Sequence, residues 1–341
     1  MAYQVSPTQA FDLIKDAVQA GLTAMLSGSP GIGKSSIFAQ VADYFNLGLI
    51  DVRLAQCDPT DLNGFPTKME NGKASYMPMD TFPIQGDDLP ENKDGWMILL
   101  DELTSAPKAV QAAAYKLILD RQVGQHKLHD NVVICAAGNL ATDNAVVHKM
   151  STALRSRMLH LELSISKDDW VEWALKNNID HRIVSYIEFS PKSLYTFNPE
   201  HSDNTYSCPR TLEFASRLFE VWGENIERNK LPLLIGTLGE AVGHELFTFS
   251  KVYSQLPSFD AILQDPINAP VSKDPSVNYA LTGVLYTNAD GNNLPKVMDY
   301  IERLPIEFQV ITLKGICTSK PVLGQHSRIM GWLNKNAQAM A

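Results

Sequence analysis

The chain has 341 residues, of which 45% are apolar and 20% charged, and its net charge is −9. This is the composition of a soluble globular protein long enough for two or three cores, and it excludes disorder and fibrous repeats. The acidic balance argues against a protein held on nucleic acid by phosphate contacts, and no apolar run approaches the roughly 20 residues that span a bilayer. Cys57, Cys135, Cys208 and Cys317 lack zinc-ligand spacing, and residues 1–30 lack the basic start and long apolar run of a leader. The expectation is a cytoplasmic protein with reduced thiols.

Residues 1–163 alternate short β-rich runs with helical patterns, which predicts a parallel sheet with covering helices. Five near-continuously apolar runs read as strands: Leu22–Ser27, Leu49–Arg53, Trp96–Asp101, Asn131–Ala137 and Met158–Leu163. Ile37, Val41, Tyr44 and Phe45 repeat at helical spacing after the first run, as do Val110, Ala114, Leu117 and Ile118 after the third. Pro107 suits the first turn of that second helix and Gly124 its exit. Phe65 to Pro83, with a turn-prone Asn71-Gly72, reads as an inserted hairpin. From Ser164 onward helical segments take over, among them Asp168–Lys176, Pro209–Trp222, Gly236–Phe249 and Leu294–Arg303. Pro266, Pro270 and Pro275 mark a linker, so the expected division is 1–163, 164–265 and 266–341.

Gly28-Ser29-Pro30-Gly31-Ile32-Gly33-Lys34-Ser35 fits G-x-x-x-x-G-K-[ST] between an apolar strand and a helical pattern, the context the motif demands. Its glycines let backbone N–H groups, continuing to Ser36, wrap phosphate oxygens, and the helix beginning near Lys34 points its positive end at the same anion. Lys34 can neutralise the β and γ oxygens, and the Ser35 hydroxyl can bind Mg²⁺. The strand Trp96 to Leu100 ends abruptly in Asp101 and Glu102, at the strand edge where an open parallel sheet places its ligand. Asp101 can hold the Mg²⁺ shell and Glu102 can polarise an attacking water. Asn139 closes the fourth run at the same edge; its amide can donate to a γ-phosphate and orient water. Arg155 and Arg157 precede the fifth run, where a guanidinium can reach a neighbouring subunit's nucleotide. Arg210 sits in the first turn of its helix, against the dipole, which points to an external anion or an ion pair.

These motifs, in this order, resemble an AAA+ ATPase, and more narrowly the MoxR branch. The branch is supported by Asp58-Pro59-Thr60-Asp61-Leu62-Asn63-Gly64, by Val110-Gln111-Ala112-Ala113-Ala114-Tyr115 with Leu119-Asp120-Arg121, and by Ala145-Val146-Val147-His148-Lys149-Met150. The resemblance implies an αβα sandwich with a five-stranded parallel sheet, an all-α lid and a helical C-terminal extension. It also implies a homo-oligomeric ring, usually a hexamer, that hydrolyses ATP with Mg²⁺ between subunits to remodel or activate a client. Family members often work with a von Willebrand factor A domain partner. By the same resemblance Lys34 and Ser35 belong to Walker A, Asp101 and Glu102 to Walker B, and Asn139 is sensor 1. Arg157 is the arginine finger with Arg155 in reserve, Arg210 is sensor 2, and Tyr76 and Met77 are candidate client contacts. His126 and His129 read as surface residues. Two further readings stay open: a nucleotide-gated assembly module with little turnover, and a DNA-directed motor.

Overall fold

A computed structural model describes residues 3–143, 148–200, 203–224, 226–252 and 256–336. The chain forms two compact units, Met1–Ser166 and Lys167–Ala341. In chain order the first contains β1 (Tyr3–Val5), α1 (Pro7–Gln19), β2 (Ala24–Ser27), α2 (Lys34–Tyr44), β3 (Leu47–Arg53), α3 (Pro59–Asn63), β4 (Phe65–Lys68) and β5 (Ala74–Met77). It continues with β6 (Gly95–Asp101), α4 (Lys108–Asp120), β7 (Gln122–Val123), β8 (His126–Lys127), β9 (Val132–Gly138), α5 (Thr152–Arg155) and β10 (Leu159–Leu163).

Six strands form one parallel sheet in the order β1-β10-β2-β9-β6-β3. The expected five-stranded sheet therefore gains an edge strand. Tyr3-Gln4-Val5 is too short to show a periodicity of its own, and its pairing with Leu161–Leu163 of β10 creates it. Burial is continuous only in the inner strands. The edge strand β3 alternates and most of β10 is half-exposed, contrary to the two-faced burial expected of every run.

Alternation along β6 sends Ile98 and Leu100 to one face, where they pack with Val110, Ala114 and Leu117 of α4. Helix α2 packs against β3, β6 and β9, and α1 against α2 and β10. Cys135, at the middle of β9, is fully buried, and burial pushes its thiol up to about 12.

Helix α4 ends at Arg121, whose φ of 52° is left-handed, rather than at Gly124. Gly124 instead turns the short β7–β8 pair, where its Cα lies against the Asn63 carbonyl. The inserted hairpin is present as β4 and β5, with Phe65 opposite Met77 and Pro66 opposite Tyr76. Its strands are tied to the β7–β8 turn by Ser75 Oγ donating to Gln125 Oε1 (2.9 Å).

The second unit is helical: α6 (Lys167–Lys176), α7 (His181–Phe189), α8 (Pro209–Trp222), α9 (Leu231–Leu238), α10 (Glu240–Val252), α11 (Phe259–Gln264), α12 (Pro275–Asn288), α13 (Leu294–Ile301), α14 (Ile306–Ser319), α15 (Pro321–Gly324) and α16 (Ser327–Lys335). The expected helix Gly236–Phe249 is broken at Gly239, whose φ of 86° ends α9 before α10 begins. One apolar core runs from Trp170 to Trp332, with Phe219, Leu246 and Tyr300 fully buried. It crosses the division expected at residue 265. The proline-rich stretch there is bound to α13: Tyr300 Oη donates to the Pro270 carbonyl (2.7 Å), and Arg303 Nη1 donates to that of Pro266 (2.6 Å). At the start of α7 the Asp180 carboxylate accepts from Arg182 Nε (2.9 Å) and Nη2 (2.7 Å).

Candidate nucleotide site

The strand β2 ends at Ser27, and the loop that follows leads to α2, which begins at Lys34. Gly31 and Gly33 take φ of 79° and 95°, left-handed values that aim successive N–H groups inward. At Gly28 the constraint is space: a Cβ would stand 2.7 Å from Ile32 Cδ1 and 3.3 Å from the Leu163 carbonyl. The loop is also pinned to the sheet, since Gly28 N donates to the Gly138 carbonyl (3.2 Å). Ser29, Pro30, Gly31, Ile32 and Gly33 complete it, and Ser36 lies exposed in the first turn of α2.

Lys34 is nearly buried, yet its ammonium is well supplied with acceptors. It donates to the carbonyls of Gly28 (2.7 Å) and Ser29 (2.9 Å) and to Asn139 Oδ1 (3.1 Å). An ammonium cannot accept a hydrogen bond, so this contact fixes which way the Asn139 amide faces. Ser35 Oγ donates to Asp101 Oδ2 (2.7 Å), and Asp101 Oδ1 accepts from Glu102 N (2.7 Å). Lys34, Ser35, Asp101 and Asn139 thus meet at one strand edge. Glu102 follows directly with φ of 57°, a left-handed value that β-carbon-bearing residues avoid, and its carbonyl accepts from the N–H groups of Ser105 and Ala106. Beside Asp101, burial raises the Asp51 carboxyl above the usual carboxylate range; the Asp101 charge adds to this, and Arg53 partly offsets it.

The two arginines near α5 are both exposed but differently held. Arg157 Nη1 donates to the Ala153 carbonyl (2.8 Å) and Ser156 Oγ (3.2 Å), and its guanidinium lies 5.3 Å from the Tyr115 ring centroid. The Arg155 guanidinium has no hydrogen bond or ion pair among the described residues, although its carbonyl contacts His160 Nε2 (2.7 Å). Arg210, in the second unit, is exposed in the first turn of α8. Tyr76 and Met77 are exposed on β5. His126 Nε2 contacts the Tyr76 carbonyl of the inserted hairpin, and His129 Nδ1 accepts from Asn131 N within its own turn. Of the stretch Ala145 to Met150, residues Ala145, Val146 and Val147 lie outside the described residues.

Three site residues escaped the sequence reading. Thr104 Oγ1 accepts from Asn139 N (2.9 Å) and donates to the Asn139 carbonyl (3.1 Å). The Gln111 amide nitrogen faces the carbonyls of Leu103, Ala106 and His148. Asp143 Oδ1 accepts from Ser29 Oγ (3.2 Å), while its buried Oδ2 has no partner among the described residues. The sequence signals were position, two residues beyond Glu102 for Thr104 and shortly after Asn139 for Asp143, and for Gln111 its place in the stretch Val110 to Tyr115.

The donor set fits a nucleoside triphosphate with Mg²⁺. The cradle is tight at Gly28, where a Cβ would displace the end of the Ile32 side chain, a cation lies inside it, and Ser35 and Asp101 pair hydroxyl and carboxylate oxygens, the ligands Mg²⁺ takes. No described helix is long and apolar enough to cross a membrane.

The match to a family model agrees with this geometry. Residues 23–158 match the model of the AAA domain of the dynein-related subfamily. Midasin of Giardia intestinalis is 26% identical over 181 residues, which is 50% of this chain and 4% of Midasin. The chain thus spans only a small part of that relative's length. Among solved structures, a "putative ATPase" from Cytophaga hutchinsonii is similar at 15% identity, covering 89% of this chain and 79% of that one, with a TM-score of 0.38. The glycine loop, the Ser35–Asp101 pair and the matched family model coincide on one stretch, so residues 23–158 match an AAA domain and carry its phosphate loop.

Proposed function

We propose that this chain is an ATP-hydrolysing ring protein of the MoxR type, a cytoplasmic homo-oligomer, hexameric in this reading, that binds ATP between subunits and uses its turnover to remodel or activate a client protein. The observation that carries the proposal is the meeting of Lys34, Ser35, Asp101 and Asn139 within hydrogen-bond distance at the strand edge beneath the glycine loop. The backbone N–H groups from Gly28 to Ser36 wrap the phosphates, and Lys34 neutralises their oxygens. Glu102 takes a proton from the attacking water as the water oxygen bonds to the γ-phosphorus, the bond from that phosphorus to the bridging oxygen breaks, and ADP and phosphate leave. Asn139 orients that water. Mg²⁺, held by Ser35 and Asp101, supplies positive charge across the phosphate oxygens when bound.

Arg157 is the finger offered to a neighbouring subunit, with its guanidinium held in order over Tyr115; Arg155 is the reserve. Arg210 acts as sensor 2. The MoxR stretches Asp58 to Gly64 and Val110 to Tyr115 support the branch, and with it a von Willebrand factor A domain partner. The exposed Tyr76 and Met77 suit contact with a client.

Phosphate release from the purified chain with ATP and Mg²⁺ tests the chemistry, with Lys34→Ala as the control that must lose both nucleotide binding and turnover. Particle mass with and without ATP tests the ring, and proteins retained by Glu102→Gln identify the client. Tight ATP binding without phosphate release, under conditions where the ring assembles, would move the conclusion to the nucleotide-gated assembly module.

A further inference from the structure

Between Glu102 and α4 the chain makes a turn that contributes no group of its own to the cradle. Thr104, at its centre, is buried, and its side chain is spent on the residue that follows β9. Its hydroxyl accepts from Asn139 N (2.9 Å) and donates to the Asn139 carbonyl (3.1 Å), closing both backbone groups of that residue onto a single oxygen. The neighbouring glycine completes the fit. A Cβ on Gly138 would stand 2.7 Å from Thr104 Oγ1 and 2.8 Å from Thr104 Cγ2, so the threonine is seated against a bare Cα. The turn carrying Thr104 is itself fixed. Leu103 N donates to the Ala137 carbonyl (2.9 Å), the Thr104 carbonyl accepts from His148 N (2.7 Å), and the buried Gln111 amide faces the carbonyls of Leu103 and Ala106 in the turn and of His148 beside it.

The consequence falls on the Asn139 side chain. With its backbone clamped, the amide has one orientation in which Oδ1 meets the Lys34 ammonium, and this leaves Nδ2 with no protein partner among the described residues. We infer that Thr104 is a positioning residue for hydrolysis, which holds the backbone of Asn139 so that its Nδ2 is presented to the γ-phosphate and the attacking water. This rests on the ATPase reading above and adds to it a residue that touches neither nucleotide nor metal.

The test compares Thr104→Val, which keeps the shape and removes the hydroxyl, with Thr104→Ser, which keeps the hydroxyl and removes the methyl. Phosphate release with ATP and Mg²⁺, affinity for a methylanthraniloyl-ATP probe, the unfolding midpoint and hydrogen exchange at the Asn139 amide are measured on the full chain. Displacing a catalytic group by an ångström costs on the order of 100-fold in rate, so Thr104→Val is expected to lose roughly 10- to 100-fold in kcat. Probe affinity stays within about threefold, and the Asn139 amide exchanges faster. Thr104→Ser recovers kcat to within about threefold of the parent.

A kcat for Thr104→Val within threefold of the parent overturns the inference. So does a Thr104→Ser variant as slow as the valine variant, or a loss in kcat matched by an equal loss in probe affinity. If the valine variant does not fold, Thr104→Ala is read by the same criteria. A parent chain that neither binds the probe nor releases phosphate refutes the ATPase reading and this inference together; an active parent with an insensitive Thr104→Val refutes this inference alone.

Discussion

Glu102 combines the proposed catalytic carboxylate with a backbone conformation that its side chain makes costly, and Glu102→Gly separates the two. A residue with a β-carbon in the left-handed region gives up about 1–2 kcal/mol, whereas glycine occupies it freely but loses roughly 0.5–1 kcal/mol more backbone entropy on folding. With φ at 57° in Glu102, the substitution should stabilise the first unit by a net ~0.5–1 kcal/mol. For a unit of this size that is a rise of about 1–4 °C in the unfolding midpoint. Turnover should fall by about 10²- to 10⁴-fold, the usual worth of a general base. Glu102→Ala is the matched control, because it removes the carboxylate and keeps the β-carbon; it should lose the same activity with no gain in stability. Thermal unfolding of the three proteins beside their phosphate-release rates reads both effects. A glycine variant that melts below the alanine variant, or one that keeps the parent's turnover, would refute the reasoning.

Three further outcomes are expected. Arg157→Ala should abolish turnover, and mixing it with Lys34→Ala should restore part of it at hybrid interfaces; rings shown to contain both chains yet inactive would exclude a finger acting in trans. Asp143→Asn removes a carboxylate that stands 3.2 Å from Ser29 of the phosphate loop. A like charge near a polyphosphate costs about 1 kcal/mol even in water, so ATP affinity should rise several-fold in titrations, and a weaker Kd would count against this account. Asp180→Asn tests the second unit. Burial alone would raise that carboxyl, but hydrogen bonds from Arg182, with the His181 and Arg182 charges, hold it below the usual carboxylate range. Its contribution is therefore present in full above about pH 5 and is lost as pH falls below about 4. At neutral pH the variant should lose about 3 kcal/mol, since Arg182 stays buried without its partner. The parent and variant unfolding curves should converge as the acid limit is approached, and a constant gap down to pH 2 would show that the pair is not the cause.

What could be read in the sequence was local. The glycine loop announces itself because its glycines, Lys34 and Ser35 act within one turn of chain, and Asp101 and Asn139 because each stands where an apolar run stops. Thr104 was hidden because its partner lies 35 residues on, and the Ser29–Asp143 contact spans 114. Neither residue type is unusual for a turn, so only the folded sheet shows what each one touches. The edge strand β1 was invisible for a related reason, since three residues carry no period and become a strand only through β10. In the helical unit the segment from Gly236 to Phe249 reads as one helix; Gly239 breaks it through a backbone angle that hydrophobicity does not record. The prolines near residue 270 suggested separation, but Tyr300 and Arg303 hold that stretch to the same core.

The cysteines supply a use that requires no engineered label. Burial raises the Cys135 thiol far above the usual thiol range, so it stays protonated, and its full enclosure keeps alkylating reagents away in the intact sheet. Cys208 is likewise enclosed, in the second unit. Once the more accessible Cys57 and Cys317 have been blocked, modification of the remaining two follows spontaneous opening of each half of the chain. Mass spectrometry of the two peptides would therefore time those openings separately in one tube, and show which half a bound nucleotide keeps shut.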